Sequence, residues 1–424
     1  MQGRSNEMKK RDNTILRKAV MAAVIGAFPL TSMAGGSDYD VLQDQVKVLQ
    51  QQLERVQKAL KDIETQSASK NDMEQAKSEF REEISNAMTP NTLVHLAGYA
   101  GVGYVSTKDK NGSFAVGSFS PIFHYQYRNL FMLEAELEFG VEDNGETEVE
   151  MEYITIDWFM NDYATLIGGK FMSPIGQFRQ NLHPSWINKM ADAPPDGAAP
   201  SSDVGLQVRG GFGEKLRSNY AVYISNGPEL NAASEDGEFE LEGVLAEGFG
   251  ADVDGNKTFG GRYGLIPMVG LEIGVSAATG KASVTNIVDE EVGSSVSVLG
   301  ASRDYSVLGA DFAWQKKMFE LRGEYVQTKV GEAATGPAAS EGADWRAWYL
   351  QGAYKFPSVK LEPVLRYTDF DSPSATGDVK QWALGINYLF TNHLIAKLNY
   401  HSNDVIEGSH TPKSKWFVQM AYGF

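Results

Sequence analysis

The segment Phe131–Phe139 reads FMLEAELEF and decides the fold class of the chain. Apolar side chains occupy its alternate positions, and Glu134, Glu136 and Glu138 lie between them. Because successive side chains of a β-strand point to opposite faces, this order predicts a strand with one apolar and one acidic face. The final segment, Trp416–Phe424 (WFVQMAYGF), repeats the alternation with aromatic and aliphatic side chains on one face. Both segments predict strands that need an apolar environment on one side only.

The connections between such segments alternate between short and long. Residues 91–424 contain seven short turns and eight long connections, which predicts sixteen strands. Tight turns on one side and large loops on the other are typical of an outer-membrane barrel. The architecture of a soluble β-sandwich does not require short turns at one end and long loops at the other. The long connections are Thr107–Ser113, Gly140–Thr147, Met172–Asp203, Gly227–Lys257, Thr279–Arg303, Thr328–Asp344, Asp369–Lys380 and Ser402–Ser414.

Composition excludes several other classes of protein. The chain has no apolar run long enough for a membrane-spanning helix, and its aromatic content of 11% is too high for a disordered chain. Zero cysteines exclude a disulfide scaffold, a thiolate zinc site and a covalently attached c-type haem. A net charge of −17 disfavours nucleic acid as a partner. The sequence therefore predicts an all-β transmembrane barrel of sixteen antiparallel strands, closed because hydrocarbon tolerates no free strand edge.

The N-terminus has the layout of a secretory signal peptide in residues 1–34. Basic residues Lys9–Arg11 precede the apolar stretch Ala19–Leu30, and Ser32–Ala34 offers small side chains for cleavage. A short buried helix is the alternative, and translation starts at either Met1 or Met8. We interpret the segment as an export signal.

Residues 35–89 are predicted to form a short α-helical coiled coil. Apolar residues recur there at heptad positions and are flanked by polar ones, and Pro90 then ends the helical pattern. Such a short helix needs partner helices, so self-association is favoured over packing on its own domain. The barrel would follow as residues 90–424. The core positions are Leu42, Val46, Leu49, Leu53, Val56, Leu60 and Ile63.

The last strand carries a resemblance to a known family. Trp416, Tyr422 and Phe424 lie at alternating places up to the final residue, which resembles the terminal signature that the barrel-assembly machinery recognises in Gram-negative outer-membrane proteins. With the export signal, the coiled coil and sixteen strands, the chain resembles trimeric porins of the phosphate-selective O/P-like superfamily, in particular the DcaP-like members. This resemblance implies a homotrimer in the outer membrane, in contact with lipid and lipopolysaccharide, with the coiled coil in the periplasm.

Charged residues opposite the apolar strand faces are the candidate lining of a pore. Acidic and basic groups on different walls would place a transverse field across the lumen, while the alternative is ordinary solvated residues or mutual ion pairs. The stretch Ile154–Trp158 has either phase relative to the preceding alternation, and a β-bulge would be needed to keep its apolar residues outward. The candidates are Glu134, Glu136, Glu138, Glu148, Glu150, Glu152, Lys170, Arg209, Arg262, Arg322, Lys360, Arg366 and Lys397.

The connection Met172–Asp203 is the candidate constriction. It contains Arg179, His183, Trp186 and Lys189 followed by several prolines, and loops of this length are usually functional or disordered. We predict that it folds into the lumen, as the third loop does in the porins that the chain resembles. The alternative is a contact with the neighbouring protomer.

The sequence contains no motif of an enzyme, a cofactor or a metal site: phosphate-binding loops and nucleophile elbows are absent, and the six histidines are scattered. The predicted function is an outer-membrane porin for passive diffusion of small hydrophilic solutes, anions among them. The basic residues are more dispersed than in the phosphate-selective relatives, so small carboxylates and general solutes both fit. Alternatives are a structural or adhesive barrel and a sheath around an electron-transfer partner.

Overall fold

The computed structural model describes residues 92–424, with gaps at 142–144, 195–196, 215, 236–237, 247–251, 290–293, 341, 407–408 and 410. The predicted signal peptide of residues 1–34 and the predicted coiled coil of residues 35–89 lie outside the described residues, so both remain predictions. Among the described residues, no helix is long and apolar enough to span a membrane.

The described chain is almost entirely β-structure. Its only regular helices are a π-helical turn at Phe178–Leu182 and a 3-10 turn at Ala375–Gly377, within the described ranges. The strands are β1 (Thr92–Thr107), β2 (Ser113–Tyr127), β3 (Phe131–Val141), β4 (Thr147–Asn161), β5 (Ala164–Met172), β6 (Ser202–Phe212), β7 (Arg217–Ser225), β8 (Pro228–Glu235), β9 (Glu238–Ala246), β10 (Thr258–Met268), β11 (Leu271–Asp289), β12 (Ser294–Ser297), β13 (Arg303–Lys316), β14 (Phe319–Val330), β15 (Ala343–Tyr354), β16 (Leu361–Asp371), β17 (Val379–Leu389), β18 (Leu394–Asp404) and β19 (Ser414–Gly423).

Sixteen of these strands close into one antiparallel barrel. Strands β1 to β7 pair in order, β7 pairs with β10, β10 with β11, β11 with β13, and β13 to β19 continue in order. The wall closes where β1 pairs with β19, from Tyr99 opposite Gly423 to Thr107 opposite Lys415. The predicted sixteen-stranded barrel is therefore confirmed, and closure leaves no barrel strand among the described residues with a free edge.

The connections alternate as the sequence predicts. Turns of a few residues, such as Lys317–Met318 between β13 and β14, lie at the end of the barrel where β1 begins and β19 ends. At this end the backbones of Gly98 and Phe424 exchange two hydrogen bonds of 3.0 and 2.9 Å. The long connections all begin at the opposite end, because each follows a strand that runs away from the termini.

Alternate side chains put an apolar surface on the outside of the wall. On β17 the exposed side chains are Trp382, Leu384, Ile386 and Tyr388, whereas Gln381 and Asn387 point inward and are buried. Aromatic side chains of neighbouring strands also touch on the outer face, as at Tyr367–Trp382, with ring centroids 4.8 Å apart. Such a belt is typical of the interface between lipid and water.

The predicted bulge lies in β4. Glu136 on β3 pairs with Tyr153, but the next residue, Leu137, pairs with Met151, so Glu152 is the extra residue. The bulge shifts the alternation by one position and keeps Ile156 on the outer face.

A small second sheet adds to the barrel at the end with the long connections. The hairpin of β8 and β9 pairs through β8 with the far half of β11, in parallel, and β12 pairs with the same part of β11. The connection Gly227–Lys257, predicted as a loop, therefore contains a hairpin, and that prediction is wrong. The alternation of Phe239 and Leu241 with Glu238, Glu240 and Glu242 is the signal that could have revealed the hairpin.

Candidate functional site: the barrel lumen and its loop

The described residues of the connection between β5 and β6, 173–194 and 197–201, lie inside the barrel, and we call this connection the lumen loop. Its side chains and backbone contact inward-pointing residues of β1, β3, β14, β16, β17 and β18. A loop that leaves the wall at β5 and reaches β18 must cross the interior. The structure therefore places this segment inside the barrel, against the barrel's own wall. This agrees with the prediction that the loop folds into the lumen.

The first contact of the lumen loop is with Glu324 of β14. The backbone N–H groups of Gln177 and Phe178 both donate to Glu324 Oε2 at 3.1 Å. The preceding residue, Gly176, has φ of +75°, and a Cβ built there would lie 1.8 Å from Glu324 Oε1. Only glycine fits this approach, because any side chain would meet the carboxylate and the backbone favours glycine.

A second contact faces the acidic strand β3. His183 Nε2 lies 3.7 Å from Glu136 Oε1, and the same oxygen accepts a 2.7 Å hydrogen bond from the hydroxyl of Tyr99. The carboxylate of Glu136 is 1% exposed. The loop thus meets a buried carboxylate on this side of the lumen.

A third contact is made by a buried ammonium group on β18. Lys397 Nζ donates to the carbonyl oxygens of Ser185, Asn188 and Met190, at 2.5, 2.6 and 2.9 Å. The side chain of Lys397 is 2% exposed. Its three N–H donors therefore all have partners within one turn of the loop.

Neighbouring wall residues hold the next part of the loop. The guanidinium of Arg366 donates to the carbonyls of Asp192 and Ala193 at 3.1 Å each. Asn399 Oδ1 accepts from the backbone N–H of Ala191 at 2.5 Å, and Asn387 Nδ2 donates to the carbonyl of Lys189 at 3.0 Å. These contacts join the loop to β16, β17 and β18.

The four loop residues singled out by the sequence have different surroundings. Lys189 pairs with Glu362 at 2.5 Å and with Glu320 at 3.4 Å. Trp186 packs near His393, with ring centroids 5.9 Å apart. The carbonyl of Arg179 lies 2.5 Å from His183 Nδ1. The structure brings these residues to several walls of the lumen rather than to one binding site.

The glutamates of β3 and β4 form an acidic inner wall. Glu134 accepts a 2.9 Å hydrogen bond from the Tyr153 hydroxyl, and His124 lies 3.6 Å from it. Glu138 pairs directly opposite Glu150 across the two strands. We use the name acidic wall for the inward residues Glu134, Glu136, Glu138, Glu148 and Glu150 together with Glu152 at the bulge.

The inward basic residues are mostly paired. Arg262 donates to Asp311 at 2.8 and 2.6 Å and to Glu272 at 3.0 Å. Arg322, on the inner face of β14, is buried and lies 3.8 Å from Glu320. Arg209 bonds to Asp157 at 3.2 Å but keeps a side chain that is 48% exposed. Together with the carbonyl-bound Lys397 and Arg366, these residues favour the interpretation as paired groups over an open basic wall.

Two predicted pore-lining lysines are not in the lumen. Lys170 pairs with Ile154 and Val204, which puts it on the outer face, and its ammonium donates to the carbonyl of Met151 at 2.8 Å. The register of β5 with β4 and β6 decides this face, and the sequence does not show that register. Lys360 lies in the exposed turn before β16, with φ of +56°, because the strand begins only at Leu361.

An apolar core inside the long-connection end was not predicted. Leu230 and Leu241 of the hairpin pack with inward residues of the wall such as Val307 and Trp345, all nearly inaccessible to solvent. This part of the interior is therefore filled by side chains. In the part of the chain that the structure describes, no group of three or more histidine and acidic residues could hold a metal ion.

Part of the chain is similar to a known family of porins. Residues 268–415 match the family described as Phosphate-selective porin O and P. No curated protein matches the sequence.

Solved structures resemble the barrel at low sequence identity. The trimer form of OmpT, an outer membrane protein of Vibrio cholerae, has a TM-score of 0.50 and 14% identity, covering 79% of this chain and 100% of that chain. The anion-selective porin from Comamonas acidovorans has a TM-score of 0.50 and 12% identity, covering 78% and 100%. The outer membrane channel DcaP of Acinetobacter baumannii has a TM-score of 0.49 and 10% identity, covering 79% and 98%. The family match over residues 268–415 and the fold shared with solved porins agree with the resemblance to the phosphate-selective porin O/P-like superfamily that the sequence predicts.

Proposed function

We propose that this porin is a passive channel for small hydrophilic solutes, anions among them. The observation that carries the proposal is the lumen loop, which crosses a sixteen-stranded barrel and is fixed to its inner wall. Barrels of this strand number leave an aqueous lumen, and a loop across it limits the width of the path. Solutes would then move down their gradient, filtered by size and by the charges of the wall.

The charges that face the remaining space have both signs. The side chain of Arg209 is half exposed, while Glu134 of the acidic wall is 22% exposed. Because most other basic groups are bound to carbonyls or carboxylates, we propose a weak ion preference in which anions pass along the side of Arg209. Small carboxylates and inorganic anions fit this description equally.

The test is a measurement of current through the purified protein in planar lipid bilayers. We expect stepwise channel insertions in symmetric KCl, and a small reversal potential in asymmetric KCl whose sign reports the preferred ion. Absence of current from protein that migrates as a heat-modifiable barrel would contradict the channel function. A reversal potential at the limit for an ideal cation channel would contradict the passage of anions.

We propose further that the porin is a homotrimer. The support is the likeness of fold to OmpT, which is recorded in a trimer form, together with the predicted coiled coil of residues 35–89, which would join three helices in the periplasm. The outer aromatic face would meet lipid and lipopolysaccharide, and the terminal strand with Trp416, Tyr422 and Phe424 would present the barrel to its assembly machinery. Cross-linking in native membranes tests the trimer, and a monomer in wild-type membranes would contradict it.

A structural barrel is the second candidate function. The apolar packing of Leu230, Leu241 and Trp345 inside the barrel favours it, because side chains there fill part of the interior. The bilayer measurement separates the two functions, since a purely structural barrel passes no current.

A further inference from the structure

Most hydrogen bonds between the lumen loop and strands β16, β17 and β18 are made by the backbone of the loop. Lys397 donates to three carbonyl oxygens, those of Ser185, Asn188 and Met190, at 2.5 to 2.9 Å. Since an ammonium group has three N–H donors and all of them are used, the loop backbone must keep its curved path for the group to be satisfied. The side chains of these three residues could change without removing a single one of these bonds.

The same kind of contact continues along the loop. Arg366 binds the carbonyls of Asp192 and Ala193, and Asn387 binds the carbonyl of Lys189. Three inward polar residues on consecutive strands β16, β17 and β18 therefore bind backbone oxygens of one short stretch. Two of the three carry a positive charge, which the carbonyl dipoles stabilise.

Burial makes these contacts hard to replace. Lys397 is 2% exposed and Arg366 is 1% exposed, so water cannot substitute freely for the carbonyl oxygens. A charged donor in such surroundings is costly without its acceptors, and the carbonyls are equally costly without their donor. Removing the ammonium group therefore leaves three acceptors of the loop facing an apolar stem.

The opposite end of the loop is fastened with the opposite charge. Glu324 on β14 accepts the backbone N–H groups of Gln177 and Phe178. A carboxylate holds N–H groups at one end and cations hold C=O groups at the other. The loop is thus held between two walls of the barrel by groups that match the polarity of its backbone.

We infer that Lys397, assisted by Arg366, is the positioning residue that keeps the lumen loop against the wall and so sets the width of the channel. This inference rests on the proposed channel function. The replacement of Lys397 removes the contacts of Ser185, Asn188 and Met190 with its ammonium group, and this part of the loop then occupies several positions in the lumen.

The experiment compares Lys397→Met with wild type in planar bilayers. We expect single-channel conductance to change by about two-fold and open-channel noise to rise, because conductance follows the free cross-section of a pore. Lys170→Met is the matched control, since it removes the same charge from the outer face and should leave conductance unchanged. Arg366→Met tests the second contact and should change conductance in the same direction by a smaller factor. If Lys397→Met does not assemble, Arg366→Met alone tests whether these basic residues position the lumen loop.

A disulfide makes the test specific for loop position. The natural chain has no cysteine, and a Cβ built on Gly101 lies 3.7 Å from Ser185 Oγ. In the Lys397→Met background, Gly101→Cys with Ser185→Cys should restore wild-type conductance and noise when oxidised and lose them again when reduced. A role in stability alone would show no such redox dependence.

The outcomes separate the inference from the proposed function. If wild type passes no current, the channel function is wrong. If wild type conducts while Lys397→Met and Arg366→Met both assemble and conduct identically to it, the inference is overturned. Altered conductance that the oxidised disulfide fails to restore also overturns it.

Discussion

Two regions of the inner wall differ in what their charges do. On β16 to β18, Arg366 and Lys397 are buried and bound to the lumen loop. On β3 and β4, the acidic wall carries carboxylates of which only Glu136 is closed off by a loop residue, His183, and by Tyr99. The same alternation of side chains therefore produces a fastening surface on one side of the barrel and a surface for solvent and solute on the other.

The net charge that faces the lumen therefore cannot be obtained by counting charged residues in the sequence, because some of them are buried and bound to the loop. A buried cation whose donors are all occupied by carbonyl oxygens cannot be contacted directly by a passing ion, whereas an exposed cation can. Arg209 is the inward cation with the larger exposed fraction, 48% against 8% for Arg262. The effective charge of the channel depends on such residues.

Deletion of residues 177–199 should have the largest effect on this comparison. It removes the occupant of the fastening surface, and we expect conductance to rise by roughly three-fold, because the loop no longer limits the cross-section. Single-channel recording measures the effect, with heat-modifiability in gels as the control for a closed barrel. Unchanged conductance in an assembled barrel would refute the role of the loop as a constriction.

Neutralising the acidic wall should change selectivity rather than width. In the variant with Glu134→Gln, Glu138→Gln and Glu150→Gln, we expect the reversal potential in asymmetric KCl to move toward anions by on the order of 10 mV, because charges lining a pore select ions. Conductance should change less than in the loop variants. The matched control is Glu332→Gln, outside the acidic wall in the long connection after β14, and an equal shift there would contradict a specific role for the acidic wall.

Arg209→Gln should produce a smaller shift of the opposite sign. The substitution removes one half-exposed cation and leaves its partner Asp157 inside the lumen. We expect the reversal potential to move toward cations by about a third of the shift of the triple variant, since one charge is changed instead of three. A shift in the same direction as that of the triple variant would show that Arg209 does not face the solute path.

Tyr99→Phe should have the smallest effect on transport. It removes the 2.7 Å hydrogen bond to Glu136 and leaves that buried carboxylate with less support, which costs about 1–3 kcal/mol of stability. We expect a lower temperature for unfolding of the barrel in detergent and near-normal conductance. A large change of conductance would mean that Glu136 positions the loop through His183 more strongly than the distances indicate.

The sequence predicts the wall well and the loop contacts poorly. Alternation along Phe131–Phe139 and the spacing of turns are enough for sixteen strands, because each strand must present one face to lipid and one to water. The acceptors for Lys397 are backbone carbonyl oxygens. Because every residue type has one, no sequence motif predicts which residues bind Lys397. The inward position predicted for Lys170 is wrong because its face follows from the pairing of β5 with β4 and β6, which the sequence does not show.

The hairpin of β8 and β9 shows a similar limit. Its alternation of Phe239 and Leu241 with glutamates was present in the sequence, but the acidic composition of the segment made it resemble a solvated loop. Its partner, the far half of β11, is distant along the chain and lies parallel to β8. Pairings of this kind depend on the barrel being formed first.

The pairing of β1 with β19 has a consequence for biogenesis. Tyr99 lies opposite Gly423, so the outer edge of β1 stays unpaired until β19 has joined the sheet. Every intermediate of shorter length exposes two unbonded margins, which invite aggregation in water and are excluded from hydrocarbon. The open sheet is therefore prone to aggregation until β19 pairs with β1, and loss of β19 would leave both margins unpaired.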